Sequence, residues 1–266
     1  MWDRCRRGGR GMGSKIAWTN DTWNPVTGCS KVSPGCKNCW AERMARRLAG
    51  RCGYPEAPNH FDVTLRPDRL DQPLKWRKPR RVFVCSMGDL FHENVSGNFL
   101  YKIWRTMILN QRHTFQILTK RPERMRQYLC EQWDPAVCNV HLGVTAENQE
   151  CADERVPLLL QAPAAVRFVS VEPMLGPIDL LPYIKKSLDW RTNPDPEPDT
   201  IDWVIIGCES GPGRRPMQLE WAIDLVRQCG AAGTACFVKQ IEINGKVSHD
   251  PAEWPEELRV REYPNA

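Results

Sequence analysis

Three cysteines near the start of the chain have a spacing typical of a metal-binding loop. Cys29, Cys36 and Cys39 form the pattern C-x6-C-x2-C, and a Pro-Gly pair predicts a turn just before the second of them. Cys39 immediately precedes the amphipathic segment Trp40–Leu48, and the dipole of such a helix favours thiolate anions at its amino terminus. Thiolates grouped in this way are ligands for zinc or for an iron–sulfur cluster.

The number of ligands separates these two kinds of metal site. A structural zinc site needs four ligands, and Cys52 or His60 could supply the fourth. A 4Fe–4S cluster held by three cysteines leaves one iron open to the amino and carboxylate groups of S-adenosylmethionine. An electron passed into that sulfonium would release a 5′-deoxyadenosyl radical, which is chemistry that belongs to the cofactors. The count of three favours the cluster, with zinc and unmetallated structural cysteines as the alternatives.

Composition and charge are those of a globular protein from a reducing compartment. The 266 residues include 12 cysteines, but the charged start of the chain is not followed by the apolar segment of a secretory signal. Disulfide frameworks are typical of shorter chains, so we expect a cytoplasmic protein whose other cysteines are small buried residues. No apolar run approaches the roughly 20 residues of a membrane helix. Four arginines and one aspartate among residues 1–11 supply +3 of the net charge of +5, so global charge says little about partners.

Short apolar runs alternate with amphipathic segments along the chain. We predict strands at Lys15–Trp18, Arg81–Cys85, Thr114–Leu118, Val140–Val144, Val166–Val169, Trp203–Ile206 and Ala235–Val238. We predict helices at Trp40–Leu48, Asn98–Asn110, Pro122–Leu129, Asn148–Leu160 and Leu219–Cys229. This alternation is typical of a parallel sheet with crossover helices. The run Asn193–Pro198 indicates an exposed insertion, and Thr19-Asn20-Asp21 would follow the first strand.

Charged residues recur just past the ends of the predicted strands. They are Lys120, Glu147, Glu172, Glu209 and Lys239. Because the carboxyl ends of parallel strands meet at one edge, where ligands bind in such folds, we expect these side chains around one cavity. Helix capping is the alternative, but it does not explain the repeated charges. Since buried charges cost folding energy, we expect Glu209→Gln and Lys239→Met to leave the protein folded while product formation falls by ~100-fold or more.

Several segments of the chain together resemble a known group of proteins. They are IAWTNDTWNPVTGCSKVSPGCKNCWAERMA, FVCSMGDLFHENV, FQILTKRPERM, LGVTAENQ, VRFVSVEPMLGPIDL, DWVIIGCESGPGRRPM and FVKQ. They resemble a phage-associated family of uncharacterised three-cysteine proteins among the outlying members of the radical S-adenosylmethionine superfamily. The resemblance implies an α/β fold, a partial (βα) barrel of about six or seven parallel strands with the cluster loop after the first strand. It also implies a 4Fe–4S cluster on Cys29, Cys36 and Cys39, with S-adenosylmethionine on the open iron.

Roles can be assigned to residues at the strand ends from their position and chemistry, and for Ser86, Gly88 and Asp89 also from the resemblance. The expected cofactor-binding residues are Ser86, Gly88, Asp89, Lys120, Glu147 and Asn148. Ser86, Gly88 and Asp89 match a Gly–acid motif that receives the amino group of S-adenosylmethionine, although Asp89 could instead cap the following turn. The expected catalytic residues are Glu172, Cys208, Glu209 and Lys239. Two residues have simpler interpretations, Cys208 as a core residue and His92 as a surface histidine.

The expected function is that of a radical S-adenosylmethionine enzyme modifying or rearranging a nucleic-acid base or nucleotide, for example a hypermodified thymine in phage DNA. The sequence does not decide between a transferase, an isomerase and a lyase. The expected partners are a nucleic acid or nucleotide and an electron donor such as flavodoxin or ferredoxin, in the host cytoplasm and without a membrane. Basic pairs such as Lys120-Arg121 and Arg214-Arg215, and the run 77–81, would suit phosphate contacts. The alternative is a zinc-stabilised, non-enzymatic nucleic-acid-binding protein.

Three regions are expected along the chain. Residues 1–13 would be a disordered arm or lie upstream of the true start, residues 14–241 would form the radical S-adenosylmethionine-like barrel, and residues 242–266 would be a C-terminal extension.

Overall fold

Strands and helices alternate along most of the chain, as the sequence predicts. The computed structural model describes residue 14 and residues 16–132, 137–184 and 200–264. The strands are β1 Asp21–Trp23, β2 Val26–Thr27, β3 Thr64–Leu65, β4 Arg81–Val84, β5 Thr114–Thr119, β6 Val140–Thr145, β7 Val166–Val171, β8 Trp203–Gly207, β9 Ala235–Ile243 and β10 Lys246–Ser248. The helices are α1 Trp40–Leu48, α2 Gly97–Ile108, α3 Pro122–Gln132, α4 Gln149–Leu160, α5 Leu181–Ile184 and α6 Leu219–Ala232.

Eight strands form one large sheet in the order β1-β4-β5-β6-β7-β8-β9-β10. The first seven of these are mutually parallel, and β10 runs antiparallel to β9. A separate pair is formed by β2 and β3. The α/β class and the mostly parallel sheet are therefore confirmed. Among the described residues, the sheet keeps two edges, β1 and β10, and does not close on itself.

Alternate residues of each strand pack on opposite faces of the sheet. In β8, Val204 and Ile206 belong to the main core, which the helices share, whereas Trp203 and Ile205 belong to a second cluster. Every residue of β6 and β7 is buried, as expected for central parallel strands covered on both faces. We call the face that carries the second cluster the inner face.

An aromatic cluster fills the amino-terminal half of the inner face. It consists of Trp18, Phe168, Trp203, Ile205 and Phe237. The rings of Trp18 and Trp203 lie 6.0 Å apart in an edge-to-face arrangement, and those of Phe168 and Trp203 lie 5.6 Å apart. These are separations at which aromatic pairs add stability beyond their buried area. The cluster leaves only the carboxyl-terminal half of this face for polar side chains.

The predicted first strand is wrong for the residues that the structure describes. Residues 16–18 form a bend and turn, and β1 begins only at Asp21. The apolar signal arises because Trp18 packs in the aromatic cluster rather than in a strand. Thr19, Asn20 and Asp21 consequently stand at the amino-terminal end of the sheet, where Asp21 forms an ion pair with Arg80. The cysteines still follow the first strand in the chain.

The end of the chain packs on the same sheet. Strand β9 continues to Ile243, so the expected boundary between residues 241 and 242 falls inside a strand. Trp254 and Leu258 are buried in the main core. The expected arm at residues 1–13 and the insertion Asn193–Pro198 lie outside the described residues. None of the helices in the described ranges is long and apolar enough to cross a bilayer.

Candidate functional site

The segment 28–39, which we call the cysteine loop, lies over the carboxyl ends of the strands. Its first residue, Gly28, has φ +86°, and its N–H donates to the carbonyl of Met87 just past β4 at 2.8 Å. A Cβ at Gly28 would collide with the carbonyl oxygen of Asp62, so only glycine fits there. A single 3-10 turn, Pro34–Cys36, follows, and Cys39 is the N-cap residue of α1. The predicted turn and helix start are therefore confirmed.

The three cysteines line one pocket of about 180 Å³, together with Asp89 and Arg121 among others. The guanidinium of Arg121 donates to the sulfur of Cys29 at 3.3 Å. Burial raises the pKa of the Cys29 thiol to about 11, and the charge of Asp89 adds to this effect while Arg121 opposes it. Metal binding at Cys29 would therefore have to displace a firmly held proton.

The donor set fits an iron–sulfur cluster better than a single metal ion. A single zinc ion draws all of its thiolates to about 2.3 Å from one centre. Within the described ranges, no group of three His, Cys, Asp or Glu residues, the three cysteines included, is arranged to hold one ion. Cys52 is disulfide-bonded, so it offers no free thiolate as a fourth ligand. In a 4Fe–4S cluster each thiolate binds a different iron, which keeps the sulfurs farther apart. Three cysteines around one pocket meet that looser requirement.

Glu147 fastens the middle of the cysteine loop to the sheet. This carboxylate follows β6 and is completely buried. It accepts hydrogen bonds from the hydroxyl of Ser33 and from the N–H of Gly35, the latter at 3.0 Å. Arg155 of α4 pairs with its other oxygen at 2.9 Å. Burial alone would raise the pKa of Glu147, but the charges of Lys120 and Arg155 and the hydrogen bonds lower it below its usual value.

Glu209 fastens the end of the cysteine loop in the same way. It follows β8 and is 5% exposed. Its carboxylate accepts from the side-chain amide of Asn38 at 2.9 Å and from the backbone N–H of Arg215 at 2.8 Å, and it also pairs with the Arg215 guanidinium. Burial opposes ionisation, but these hydrogen bonds lower the pKa of Glu209 to about 2. Glu209 is therefore a charged anchor for the residue that precedes Cys39.

Asp89 and His92 hold the start of the cysteine loop. Asp89 accepts from the N–H of Phe91, from the Thr119 hydroxyl and from the Arg121 guanidinium, so its oxygens are occupied within the protein. Arg121 in turn donates to the Ser30 hydroxyl at 2.7 Å. The interpretation of His92 as a surface histidine is wrong, because it is 2% exposed and its Nε2 lies 2.9 Å from the Ser30 hydroxyl.

Lys120 lies where two pockets meet. It lines the pocket of the three cysteines and also an adjoining inner pocket of about 200 Å³, which contains Glu172 and Glu209. Lys239 forms an ion pair with Glu172. Within the described part of the chain, Lys120 has neither a hydrogen bond nor an ion pair through its ammonium group. Of the five charged residues expected around one cavity, three line the inner pocket, namely Lys120, Glu172 and Glu209. Lys239 reaches it only through its pair with Glu172, and the buried Glu147 lines neither pocket. Among the described residues, Lys120 is the one of the five whose charged group makes no hydrogen bond or ion pair.

The other residues expected at the site have more local contacts. Ser86 lines both pockets and donates to the Asn24 side chain at 3.3 Å. Gly88 pairs with Gly28 through a parallel bridge. Asn148 is the N-cap of α4 and accepts from the N–H of Cys151 at 3.0 Å. Cys208 is fully buried in the main core, and burial raises the pKa of its thiol to about 12.

Sequence reasoning missed residues that complete the site. Cys85 was assigned to the core, yet it lines the pocket of the three cysteines and has φ +61°, a conformation unusual for any residue except glycine. Ser33, Asn38 and Arg155 were not singled out as partners of the two buried glutamates. For Cys85, the available signal in the sequence was its position at the end of a predicted strand, directly before Ser86. The others had no local signal, because their partners are distant in the chain.

Most of the basic residues that could contact phosphate are already paired. Arg121 pairs with Asp89, Arg215 with Glu209, and Arg214 with Glu242. The run 77–81 precedes β4 and so lies at the opposite end of the sheet from the cysteines.

Comparison with known proteins gives one result. No curated protein and no solved structure matches the chain. A family model described as a protein of unknown function (DUF5131) matches residues 13–257, which is most of the chain. The chain therefore belongs to the DUF5131 family.

Proposed function

We propose that this protein is a radical S-adenosylmethionine enzyme that acts on a nucleic-acid base or a nucleotide. A hypermodified thymine in phage DNA is one example of such a substrate. The proposal includes a partial (βα) barrel, in which the seven parallel strands curve around the inner face. Their neighbour order follows the chain, as it does in (βα) barrels.

One observation carries the proposal. Three cysteines line a single pocket at the carboxyl ends of a parallel sheet, which is the end where α/β folds bind ligands. Cys29, Cys36 and Cys39 would hold the 4Fe–4S cluster, and S-adenosylmethionine would occupy the remaining iron. When bound, the pair would supply an electron-driven cleavage of the sulfonium and hence the chemistry of a 5′-deoxyadenosyl radical.

The chain's own residues would shape and charge the cavity. The Lys120 ammonium faces both pockets and would bind an anionic group, a carboxylate or a phosphate, of cofactor or substrate. The Glu172–Lys239 pair would hold or transfer a proton at the Glu172 carboxylate or the Lys239 Nζ, because both side chains are about one-fifth exposed. Glu147 and Glu209 would keep the cysteine loop in place rather than touch the reacting atoms.

An external electron donor completes the proposal. The reaction needs one electron for each cleavage of S-adenosylmethionine, and a flavodoxin or ferredoxin would deliver it.

The test is the metal content of protein purified without oxygen. We expect a brown protein with about four irons per chain and broad absorption near about 400 nm. After reduction it should convert S-adenosylmethionine to methionine and 5′-deoxyadenosine. Cys36→Ala should lose both the iron and this cleavage.

Two cysteine variants are matched controls. Cys85→Ala removes a thiol from the same pocket, and Cys130→Ala removes an exposed one elsewhere; both should keep the iron. A colourless protein with one zinc per chain, retained only while Cys52 or His60 is present, would overturn the proposal. That result would favour a non-enzymatic nucleic-acid-binding protein.

A further inference from the structure

A groove lies beside the site, between helix α1 and the loop 210–212. We call it the α1 groove. Its volume is about 290 Å³, and on the helix side it is lined by Trp40, Arg43, Met44 and Arg47. These positions are spaced i, i+3, i+4 and i+7, so they form one face of the helix. The groove lining contains no carboxylate.

The α1 groove has positive charge that the described residues do not neutralise. Arg47 is exposed, and its guanidinium contacts only the sulfur of Met44, at 4.0 Å, among the described side chains. Arg43 donates from Nη2 to the carbonyl of Ser210 at 2.9 Å, while its Nη1 is buried with no hydrogen-bond partner among the described residues. The nearest acidic residue of the helix, Glu42, already pairs with Lys31 at 3.1 Å. An anionic occupant would compensate this charge.

The groove also offers a flat aromatic surface. Trp40 is 49% exposed, although it directly follows Cys39. A half-exposed indole on the same helix face as two arginines is suited to stack on a base while a guanidinium group contacts phosphate. A purely apolar peptide would leave the arginines unused, and an acidic protein surface would have no need for the indole. Nucleic acid uses both features.

The α1 groove is continuous with the inner pocket that contains Lys120. Trp40 and Ser210 line both spaces. Each is smaller than the roughly 300 Å³ at the lower end of small-molecule pockets. A ligand that reaches the cysteines through the inner pocket and also contacts Arg47 is therefore longer than one nucleotide.

We infer that the α1 groove binds a single-stranded segment of a polynucleotide, next to the nucleotide whose base enters the inner pocket. One base stacks on Trp40, and the neighbouring phosphate lies beside Arg47. Removing a base from its stack is how enzymes that modify bases in nucleic acids reach their target. The inference rests on the proposed function for the role of the inner pocket and specifies its substrate as a polymer, but strand binding can be measured without any turnover.

The experiment measures fluorescence anisotropy of a labelled dodecathymidylate with full-length, anaerobically purified protein. Trp40→Ala should weaken binding by about tenfold or more, whereas Trp40→Phe should retain most of the affinity. Arg47→Ala should weaken binding several-fold and reduce the slope of log K against log salt concentration by about one. An abasic oligonucleotide should bind wild-type protein and Trp40→Ala equally well.

Arg46→Ala is the matched control, because Arg46 is an exposed arginine of the same helix that does not line the groove. It should bind the oligonucleotide like wild type, and iron content should be equal in all variants. Unchanged binding in both Trp40→Ala and Arg47→Ala would overturn the inference while leaving the iron and the cleavage of S-adenosylmethionine intact. A second result would also overturn the inference: Trp40→Ala and Arg47→Ala are reduced by flavodoxin more slowly than wild type but bind the oligonucleotide with the same affinity. That result would identify the groove as the docking site of the electron donor.

Discussion

The two halves of the inner face belong to the same parallel strands but have opposite chemistry. The amino-terminal half is closed by the aromatic cluster around Trp203, while the carboxyl-terminal half carries charged and thiol side chains around two pockets. Burial of aromatic rings stabilises the folded chain, whereas buried charges cost folding energy unless they are paired. The difference indicates that the amino-terminal half supplies folding free energy, which offsets the cost of burying charged groups in the carboxyl-terminal half.

The largest effect should come from the aromatic half. Trp203→Ala should lower the free energy of unfolding by about 3–5 kcal/mol, because Trp203 is fully buried among the other rings. Urea unfolding followed by circular dichroism measures this loss. Trp40→Ala, at an exposed tryptophan, should change stability by about 0.5 kcal/mol or less. If Trp203→Ala folds with unchanged stability but binds no iron, the assignment of stability to the amino-terminal half and of metal binding to the carboxyl-terminal half is wrong.

A change in the polar half should have the reverse signature. Lys120→Met removes a charge that makes no hydrogen bond or ion pair among the described residues but helps to keep the buried Glu147 ionised, so stability should fall only slightly, by about 1 kcal/mol or less. Formation of 5′-deoxyadenosine should fall by ~100-fold, the scale of a lost charge contact in an active site. The exposed Lys102 provides the control variant Lys102→Met, which should retain full activity. Equal activity of the two variants would remove Lys120 from the site.

Glu209→Gln should affect both properties, since Glu209 belongs to the polar half but has a structural role. The substitution leaves the Arg215 guanidinium without its carboxylate and weakens the bond to Asn38. We therefore expect a protein that still folds, as the sequence suggested, but with a loss of about 1–3 kcal/mol in unfolding free energy. Iron should also dissociate faster in the presence of a chelator. Unaltered stability and iron retention would show that Glu209 is not an anchor.

The smallest effect is a decline of stability with acid in two steps. His92 and His141 have lowered pKa values because burial disfavours their charged forms, with that of His141 at about 4. The contribution of His141 is complete above about pH 6.5 and is lost as the pH falls towards 4, and His92 contributes in the same direction. Glu209, with a pKa of about 2, contributes above its usual value and loses that contribution as the pH falls towards 2.

Urea unfolding at a series of pH values between about 7 and 2 should resolve the two steps. Glu209→Gln should flatten only the lower step, and the exposed Glu220 supplies the control variant Glu220→Gln. A lower step that persists unchanged in Glu209→Gln would contradict the assignment.

The sequence predicts the parts of the fold that have a local signal. Strands β6 and β7 are rich in valine and other apolar residues, and α1 is amphipathic with Cys39 before it, so their positions follow from composition and spacing. Trp18 gave a false strand because an apolar residue that packs against a sheet resembles one that belongs to it. The gathering of charges at one end follows from the direction of parallel strands. The separate roles of these charged residues do not follow from strand direction.

The roles of Glu147 and Glu209 could not be predicted because their partners are distant in sequence. Ser33 lies 114 residues from Glu147, and Asn38 lies 171 residues from Glu209. Neither spacing has a pattern that distinguishes an anchor from a catalytic carboxylate. The same carboxylates at strand ends would serve either purpose, and only the hydrogen bonds decide between them.

The attachment of the cysteine loop to Glu209 has a consequence for the order of folding. The loop is synthesised early, but the contact that fixes Asn38 forms only after the chain has reached β8 and closed a loop of 171 residues. Contacts of such sequence separation carry a large closure entropy and form late. The cysteine loop therefore becomes ordered only when nearly the whole sheet has assembled. Uptake of the proposed cluster would accordingly be disfavoured in a nascent or truncated chain and would be possible in a completed one.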